Sequence, residues 1–328
     1  VNDASGKFEI IGDQIRVKSG QVIDYETDTN FSLTIRTTDI SGTTHDEVLT
    51  LDVTDFEGSY TAGNSGETIV GTSEEDTIYG DDGEDTIYGG DGDDVIFDGS
   101  GPDTIDGGEG SDTIHLEDAD GGNSNTITDT GTSGTDTLLL DQGDGTYRVQ
   151  GDFSAASSGI EVIDGSTETG EVLGTQDASA NFDFTGITLN GVDRIEGTDA
   201  ADTITGSAGD DSIYGLGGND VLQGGEGNDL LDGGDGNDSF LISAMQGNDT
   251  VAGGSGWTDA IELQSVPGEV SVSGDTVTGT GWTLVLDSGH TVEDQLADSI
   301  DLSSDSAGVI TFDTGETIDF NGVEHVSW

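Results

Sequence analysis

The sequence predicts an all-β chain, and three observations carry that reading. From Ile69 through Ile78, Ile87, Ile96 and Ile105 to Ile114 an isoleucine recurs every nine residues, a period that neither a helix nor an ordinary sandwich strand produces. The same spacing returns at Ile204, Ile213, Leu222, Leu231 and Phe240. Outside these blocks, short runs rich in valine, isoleucine, threonine and aromatic residues alternate with turn residues, the pattern of one strand after another.

In both blocks an acid stands two places ahead of the apolar residue. The first block places Glu67, Asp76, Asp85, Asp94, Asp103 and Asp112 there; the second places Asp202, Asp211, Asp220, Asp229 and Asp238, with looser units around Asp249 and Asp259. Two residues before most of these acids is a glycine: Gly83, Gly92, Gly101, Gly110, Gly209, Gly218, Gly227 and Gly236. Each unit therefore reads as a turn, an acid and three strand residues. Glycine permits the left-handed backbone of a tight turn and leaves its carbonyl oxygen open to an ion.

The units Gly89-Gly90-Asp91-Gly92-Asp93-Asp94-Val95-Ile96-Phe97 and Gly224-Gly225-Glu226-Gly227-Asn228-Asp229-Leu230-Leu231-Asp232 resemble the nonapeptide of the repeats-in-toxin family. The resemblance implies a parallel β-roll, or β-solenoid, wound around Ca²⁺, with the eleven aspartates from Asp76 to Asp249 and the eight glycine carbonyls named above as ligands. With two strands per coil, units n and n+2 stack, setting Asp76 beside Asp94 and Asp94 beside Asp112. Stacked strands lie about 4.8 Å apart. Two carboxylates at that distance repel by about 1 kcal/mol in bulk water and about 3 kcal/mol at an effective dielectric of 20. A cation between coils reverses the sign, which makes the metal part of the fold. If each ion needs two stacked turns, the two blocks hold roughly seven to nine Ca²⁺.

Charge points the same way. The 328 residues include 69 acids and 6 bases, a formal net charge of −63. Nucleic acid and acidic membrane surfaces are excluded as partners, being polyanions with no basic patch to meet. There is no cysteine, so neither disulfides nor thiolate metal sites are available. No apolar run approaches the length that spans a membrane. The sequence opens at Val1 without a signal-like segment, which reads as a fragment or a processed product.

Taken in order, residues 1–55 read as antiparallel strands at Lys7 to Ile10, Gln14 to Val17, Phe31 to Thr37 and Glu47 to Val53. The phrases Phe8-Glu9-Ile10, Val22-Ile23-Asp24-Tyr25-Glu26, Leu33-Thr34-Ile35-Arg36-Thr37-Thr38-Asp39 and Leu51-Asp52-Val53-Thr54-Asp55 resemble the second half of a cadherin repeat. That likeness implies a partial β-sandwich with calcium ligands at Asp24, Glu26 and Asp55. Half a sandwich exposes strand edges. Either the missing strands are cut away, or another chain supplies them and builds a head-to-tail fibre by strand addition.

Residues 56–61 read as a linker, 62–115 as the first roll block, 116–196 as an irregular β-solenoid continuation or a separate sandwich, 197–262 as the second block, and 263–328 as a β-rich C-terminal segment. Tyr79 and Phe97, eighteen residues apart, fall on one outward face. They offer either a platform for a surface glycan or a cross-strand pair that stabilises the sheet.

No nucleophile elbow, zinc-protease, Walker or Rossmann motif is present, and His45, His115, His290 and His325 lack ligand spacing. The expectation is a non-enzymatic, secreted or cell-surface calcium-binding protein of a bacterial matrix, forming a stalk or filament subunit. Calcium would convert a self-repelling thread into a rod outside the cell. The rival readings are a calcium-dependent glycan-binding module and the accessory tail of a secreted hydrolase, lyase or epimerase.

Overall fold

The computed structural model describes residues 2–3, 6–11, 14–18, 30–52, 58–116, 124–140, 145–165, 170–256, 258–266 and 269–328. Two units result, Val1–Gly58 and Ser59–Trp328. In the first, strands Asn2–Asp3, Asn30–Thr38 and Thr44–Asp52 form an antiparallel sheet in that order, and Phe8–Ile11 pairs with Gln14–Val17 as a hairpin. Its core is small. Phe8 meets Phe31 edge-on at 4.8 Å beside a fully buried Leu33. The turn between the long strands is held by the Asp39 carboxylate, which accepts from the Ser41 and Thr43 amides at 2.8 and 2.9 Å.

The second unit is a parallel β-solenoid. On one face Thr77–Tyr79, Val95–Phe97 and Thr113–Leu116 stack in register, aligning Ile78, Ile96 and Ile114. On the other, Thr68–Val70, Thr86–Asp91 and Thr104–Glu109 align Ile69, Ile87 and Ile105. The architecture follows from three-residue strands. Only the middle side chain points inward, so one isoleucine per strand builds the core while threonine and aromatic residues face out. Ile78, Ile87, Ile96, Ile105 and Ile114 have no exposed surface, each contributing roughly 1.5–3 kcal/mol. The turns bring backbones into contact. A methyl group on Gly90, at φ +128°, would overlap the Thr72 carbonyl oxygen of the preceding coil.

Parallel pairing continues past the first block. Thr137–Leu140 joins Thr113–Leu116 to Val162–Asp164, which pairs with Thr188–Asn190. Thr146–Arg148, Val172–Gly174 and Arg194–Glu196 start the ladder that enters the second block. These coils are wider, and aromatic side chains fill them: Tyr147, Phe153, Phe182 and Phe184 are buried alongside Ile163 and Leu173. The one helical turn among the described residues, Ala155–Ser158, is capped by Ser154 and ends at left-handed Gly159.

Both ladders of the second block end on one strand, Thr317–Ser327. Its first half pairs in parallel with Asp249–Ala252, its second with Ala260–Gln264, setting Phe320 on Val251 and Val326 on Ile261. Antiparallel strands Thr276–Thr278, Trp282–Leu286 and Ser299–Phe312 complete this end around a buried Trp282. Trp328 packs against that ring at 5.5 Å rather than standing free. Among the described residues no helix is long and apolar enough to cross a membrane.

Candidate metal centre

The acids of the repeat stand at the turn into each strand, where the backbone amide has no sheet partner. Asp76, Asp85, Asp94, Asp103, Asp112, Asp202, Asp211, Asp220, Asp229, Asp238 and Asp249 are all buried. They are linked in files. The amide of Asp76 donates to Asp94 Oδ1 and that of Asp94 to Asp112 Oδ1, both at 2.8 Å; Asp85 reaches Asp103 at 2.7 Å. In the second block Asp202 donates to Asp220 and Asp220 to Asp238 at 2.8 Å, while Asp211 reaches Asp229 at 3.0 Å and Asp229 reaches Asp249 at 3.1 Å. One oxygen of each carboxylate thus builds the fold.

In several of them the other oxygen does not, whereas Asp211 Oδ2 accepts from the Ser207 amide at 2.7 Å. Oδ2 of Asp85, Asp94, Asp112, Asp220, Asp229 and Asp238 is buried without a hydrogen-bond partner. Stranding one such atom costs about 1–3 kcal/mol, more when charged, so a file of them needs a compensating positive charge. The adjoining space supplies room and further oxygen. A methyl on Gly89 would overlap both Asp94 Oδ2 and the Gly107 carbonyl oxygen. On Gly215 it would sit against Asp220 Oδ2 and 2.7 Å from the Gly233 carbonyl oxygen. Glycine at this place therefore leaves a gap where a carboxylate oxygen and a carbonyl oxygen of the next coil converge. An all-oxygen cradle of this kind suits a hard cation such as Ca²⁺.

Burial and neighbouring carboxylates also push these acids away from their ordinary range. Desolvation, then repulsion from Asp112 and Asp76, raises Asp94 to about 7 despite the amide it accepts. Asp220 and Asp229 rise to about 7 and Asp112 to about 6 for the same reasons. Asp85, Asp211, Asp238 and Asp249 are raised as well, burial being the leading cause in each.

The glycines separate into two sets. Gly83, Gly92, Gly101, Gly110, Gly218, Gly227 and Gly236 have φ between +116° and +149°, whereas Gly209 is not in that region. They are stacking points. A methyl on Gly101 would overlap the Gly83 carbonyl oxygen, and one on Gly227 that of Gly209. The glycines bordering the carboxylate oxygens stand three places earlier, at Gly71, Gly89, Gly107, Gly197, Gly206, Gly215, Gly224 and Gly233, and sequence reasoning missed them. For Gly89, Gly107, Gly224 and Gly233 the available signal was a place as the first glycine of a Gly-Gly pair.

Further acids belong to the files. The Asp112 amide donates to Asp136 Oδ1, Asp136 to Glu161 Oε2, Asp238 to Asp259 Oδ1, and Asp259 to Glu324 Oε2. Asn125 closes the file that begins with Glu67, Asp85 and Asp103, and its own amide group donates to Asp98 at 2.9 Å. Asp24, Glu26 and Asp55 lie outside the described residues.

Residues 61–96, 88–121, 187–222, 214–240 and 241–257 match the family model of the RTX calcium-binding nonapeptide repeat. No curated protein matches the sequence. The solenoid thus carries RTX calcium-binding repeats, and Ca²⁺ is the cation that they imply.

The geometry predicts opposite effects of Asp94→Asn in two states. Asparagine keeps an oxygen for the Asp76 amide and replaces the stranded Oδ2 with a neutral donor facing the Gly107 carbonyl. Calcium-free protein should gain thermal stability, while the calcium midpoint for folding rises several-fold. Melting curves in chelator and in excess Ca²⁺ check both signs.

Proposed function

We propose that this chain is a non-enzymatic structural or adhesive protein of the extracellular space, a stalk or matrix subunit whose stiffness is conferred by calcium. The observation that carries the reading is the buried file of aspartates, in which Asp94, Asp112, Asp220 and Asp229 each commit one oxygen to a backbone amide and turn the other, without a hydrogen-bond partner, toward a glycine-lined gap. Such a file is costly without metal and rigid with it. Outside the cell calcium is abundant, and a chain of net charge −63 stays extended until it arrives there.

Fibre formation is part of this proposal. Strand Thr44–Asp52 pairs on one side with Asn30–Thr38, and among the described residues its other edge has no strand. Residues 44–50 are exposed, including Val48 at 63 %. An edge of this kind accepts a strand from a second copy. The cadherin-like reading of residues 1–55 agrees with this role and places junction calcium at Asp24, Glu26 and Asp55. Sedimentation and electron microscopy with Ca²⁺ and with chelator test it. Fibres or end-to-end oligomers are expected in calcium, dispersed threads in chelator; dispersed particles under both conditions would remove the fibre.

One observation favours a second reading, a calcium-dependent glycan-binding module. Tyr79 stacks on Phe97 at 4.8 Å and 6°, and Phe97 on His115 at 4.1 Å and 22°, forming a ribbon of three rings. Beside Tyr79 and Phe97 a recess of about 290 Å³ is walled by Asn64, Asp81, Asp82 and Ser100. Rings flanked by hydrogen-bonding groups suit a sugar face. Glycan-array binding in calcium that disappears in Tyr79→Ala would support this reading.

A further inference from the structure

We propose a calcium site that reaches beyond the nonapeptide repeats, at the coil where the nine-residue register breaks, formed by the last acid of the first block, Asp112, with Asp129 and Asp136. Ligand oxygens of these three residues lie within 4.8 Å of one another. Asp129 and Asp136 fall between the repeat-matching segments, which stop at residue 121 and resume at 187. The site rests on calcium binding by the repeats and not on the adhesive role.

Register explains the cluster. In the first block Gly71, Gly89 and Gly107 stand in one file, each directly after the paired residues Val70, Tyr88 and Asp106. The next strand on that face, Thr126–Thr128, pairs Thr128 with Asp106, so the residue that comes into line after Gly107 is Asp129. Its Oδ1 accepts from the Gly108 amide at 2.7 Å, which fixes the side chain over this coil. On the opposite face Asp136 takes the place after Asp112, accepting its amide at 2.8 Å. A glycine of the file is thus replaced by a carboxylate at the point where the repeat would offer only a carbonyl oxygen.

A second observation marks the cluster as a ligand site rather than a gathering of surface acids. Asp112 is 1 % exposed, and its Oδ2 has no hydrogen-bond partner. That atom lies toward Gly107, since a methyl there would sit 2.5 Å away, and Gly107 is the residue Asp129 follows in the file. The Asp129 and Asp136 oxygens within 4.8 Å of each other repel as carboxylates unless a proton or a cation lies between them. A recess of about 200 Å³ walled by Asp129, Thr132, Ser133, Gly134, Asp136 and Glu161 adjoins them, with room for an ion and the waters that complete its coordination. Three carboxylates, no nitrogen or sulfur, and ligands on loops rather than a rigid octahedral frame select Ca²⁺ over Mg²⁺ or a transition metal.

The site carries the metal file across the change of register, coupling the first block to the wider coils that follow. Two measurements test it. In crystals of the full chain grown with Ca²⁺ and soaked with Tb³⁺, anomalous density is expected between Asp112, Asp129 and Asp136. Peaks along the repeats with none here would overturn the site. In solution, Asp129→Asn keeps an acceptor for the Gly108 amide but removes a charge, so calorimetric titration with Ca²⁺ should count one tight ion fewer than wild type. The exposed-acid control Asp275→Asn should count the same as wild type. An unchanged count in Asp129→Asn would overturn the proposal, and wild-type protein that binds no Ca²⁺ would overturn the reading of the repeats along with it. The crystallographic arm uses the native chain and stands even if the variant does not fold.

Discussion

Removal of calcium at neutral pH is expected to unwind Ser59–Trp328, and acid is expected to wind it again. Each stacked carboxylate pair without metal costs about 3 kcal/mol at an effective dielectric of 20. A handful of such pairs matches the 5–15 kcal/mol that usually holds a domain together. The sign of the pH effect follows from the raised carboxyls. Asp94, Asp136, Asp220 and Asp229 reach about 7, and Asp112 and Asp259 about 6, against 3.8 in the unfolded chain. A group whose folded value is the higher binds its proton more tightly in the fold. Its stabilisation is complete below the unfolded value and lost as pH rises through the folded one. In chelator, far-ultraviolet circular dichroism should therefore show β structure near pH 4 that melts away between about pH 5 and 8. In excess Ca²⁺ the trend reverses, because the ion requires the deprotonated form. A chain that keeps its spectrum in chelator at pH 8 would contradict the account.

The second large effect is expected from glycine rather than acid. Gly236 has φ +149°, and a methyl there would overlap the Gly218 carbonyl oxygen, an atom of rigid backbone that cannot step aside. Gly236→Ala should cost more than about 4 kcal/mol and defeat folding of the second block even in saturating calcium. Gly274 provides the comparison. It also has positive φ, +69°, but nothing lies within 4 Å of where its methyl would go. Gly274→Ala should cost only the left-handed strain of about 1–2 kcal/mol. Urea denaturation of both variants in calcium separates steric exclusion between coils from conformational preference alone.

What was legible in the sequence was whatever kept a constant period. Asp76, Asp94 and Asp112 are eighteen residues apart because each coil there has the same length, so spacing alone locates the acid and the isoleucine. The wider coils hid their acids. Asp112 to Asp136 is 24 residues, Asp136 to Glu161 is 25, and Asp259 to Glu324 is 65, because loops and a whole antiparallel excursion are inserted between strands that still stack. A fixed-period search cannot follow that change, although Asp136-Thr137-Leu138 repeats the acid-threonine-aliphatic phrase of Asp112-Thr113-Ile114. Asp129 was invisible for another reason. It occupies a glycine's place, and only the strand pairing of Thr128 with Asp106 reveals the substitution.

The amide-to-carboxylate files run in one direction. In the longest of them each acid donates forward to an acid later in the chain, from Asp202 to Asp220, Asp238, Asp259 and at last Glu324. A polypeptide emerging amino end first always trails a dangling donor, whose mate has not yet been threaded out. No length short of residue 324 is self-sufficient along that file, so a prematurely terminated product would fray at its newest turn and present itself to proteases there. Glu324 supplies the acceptor for the Asp259 amide, so a chain cut before it leaves the last coil of this file with an unmatched donor.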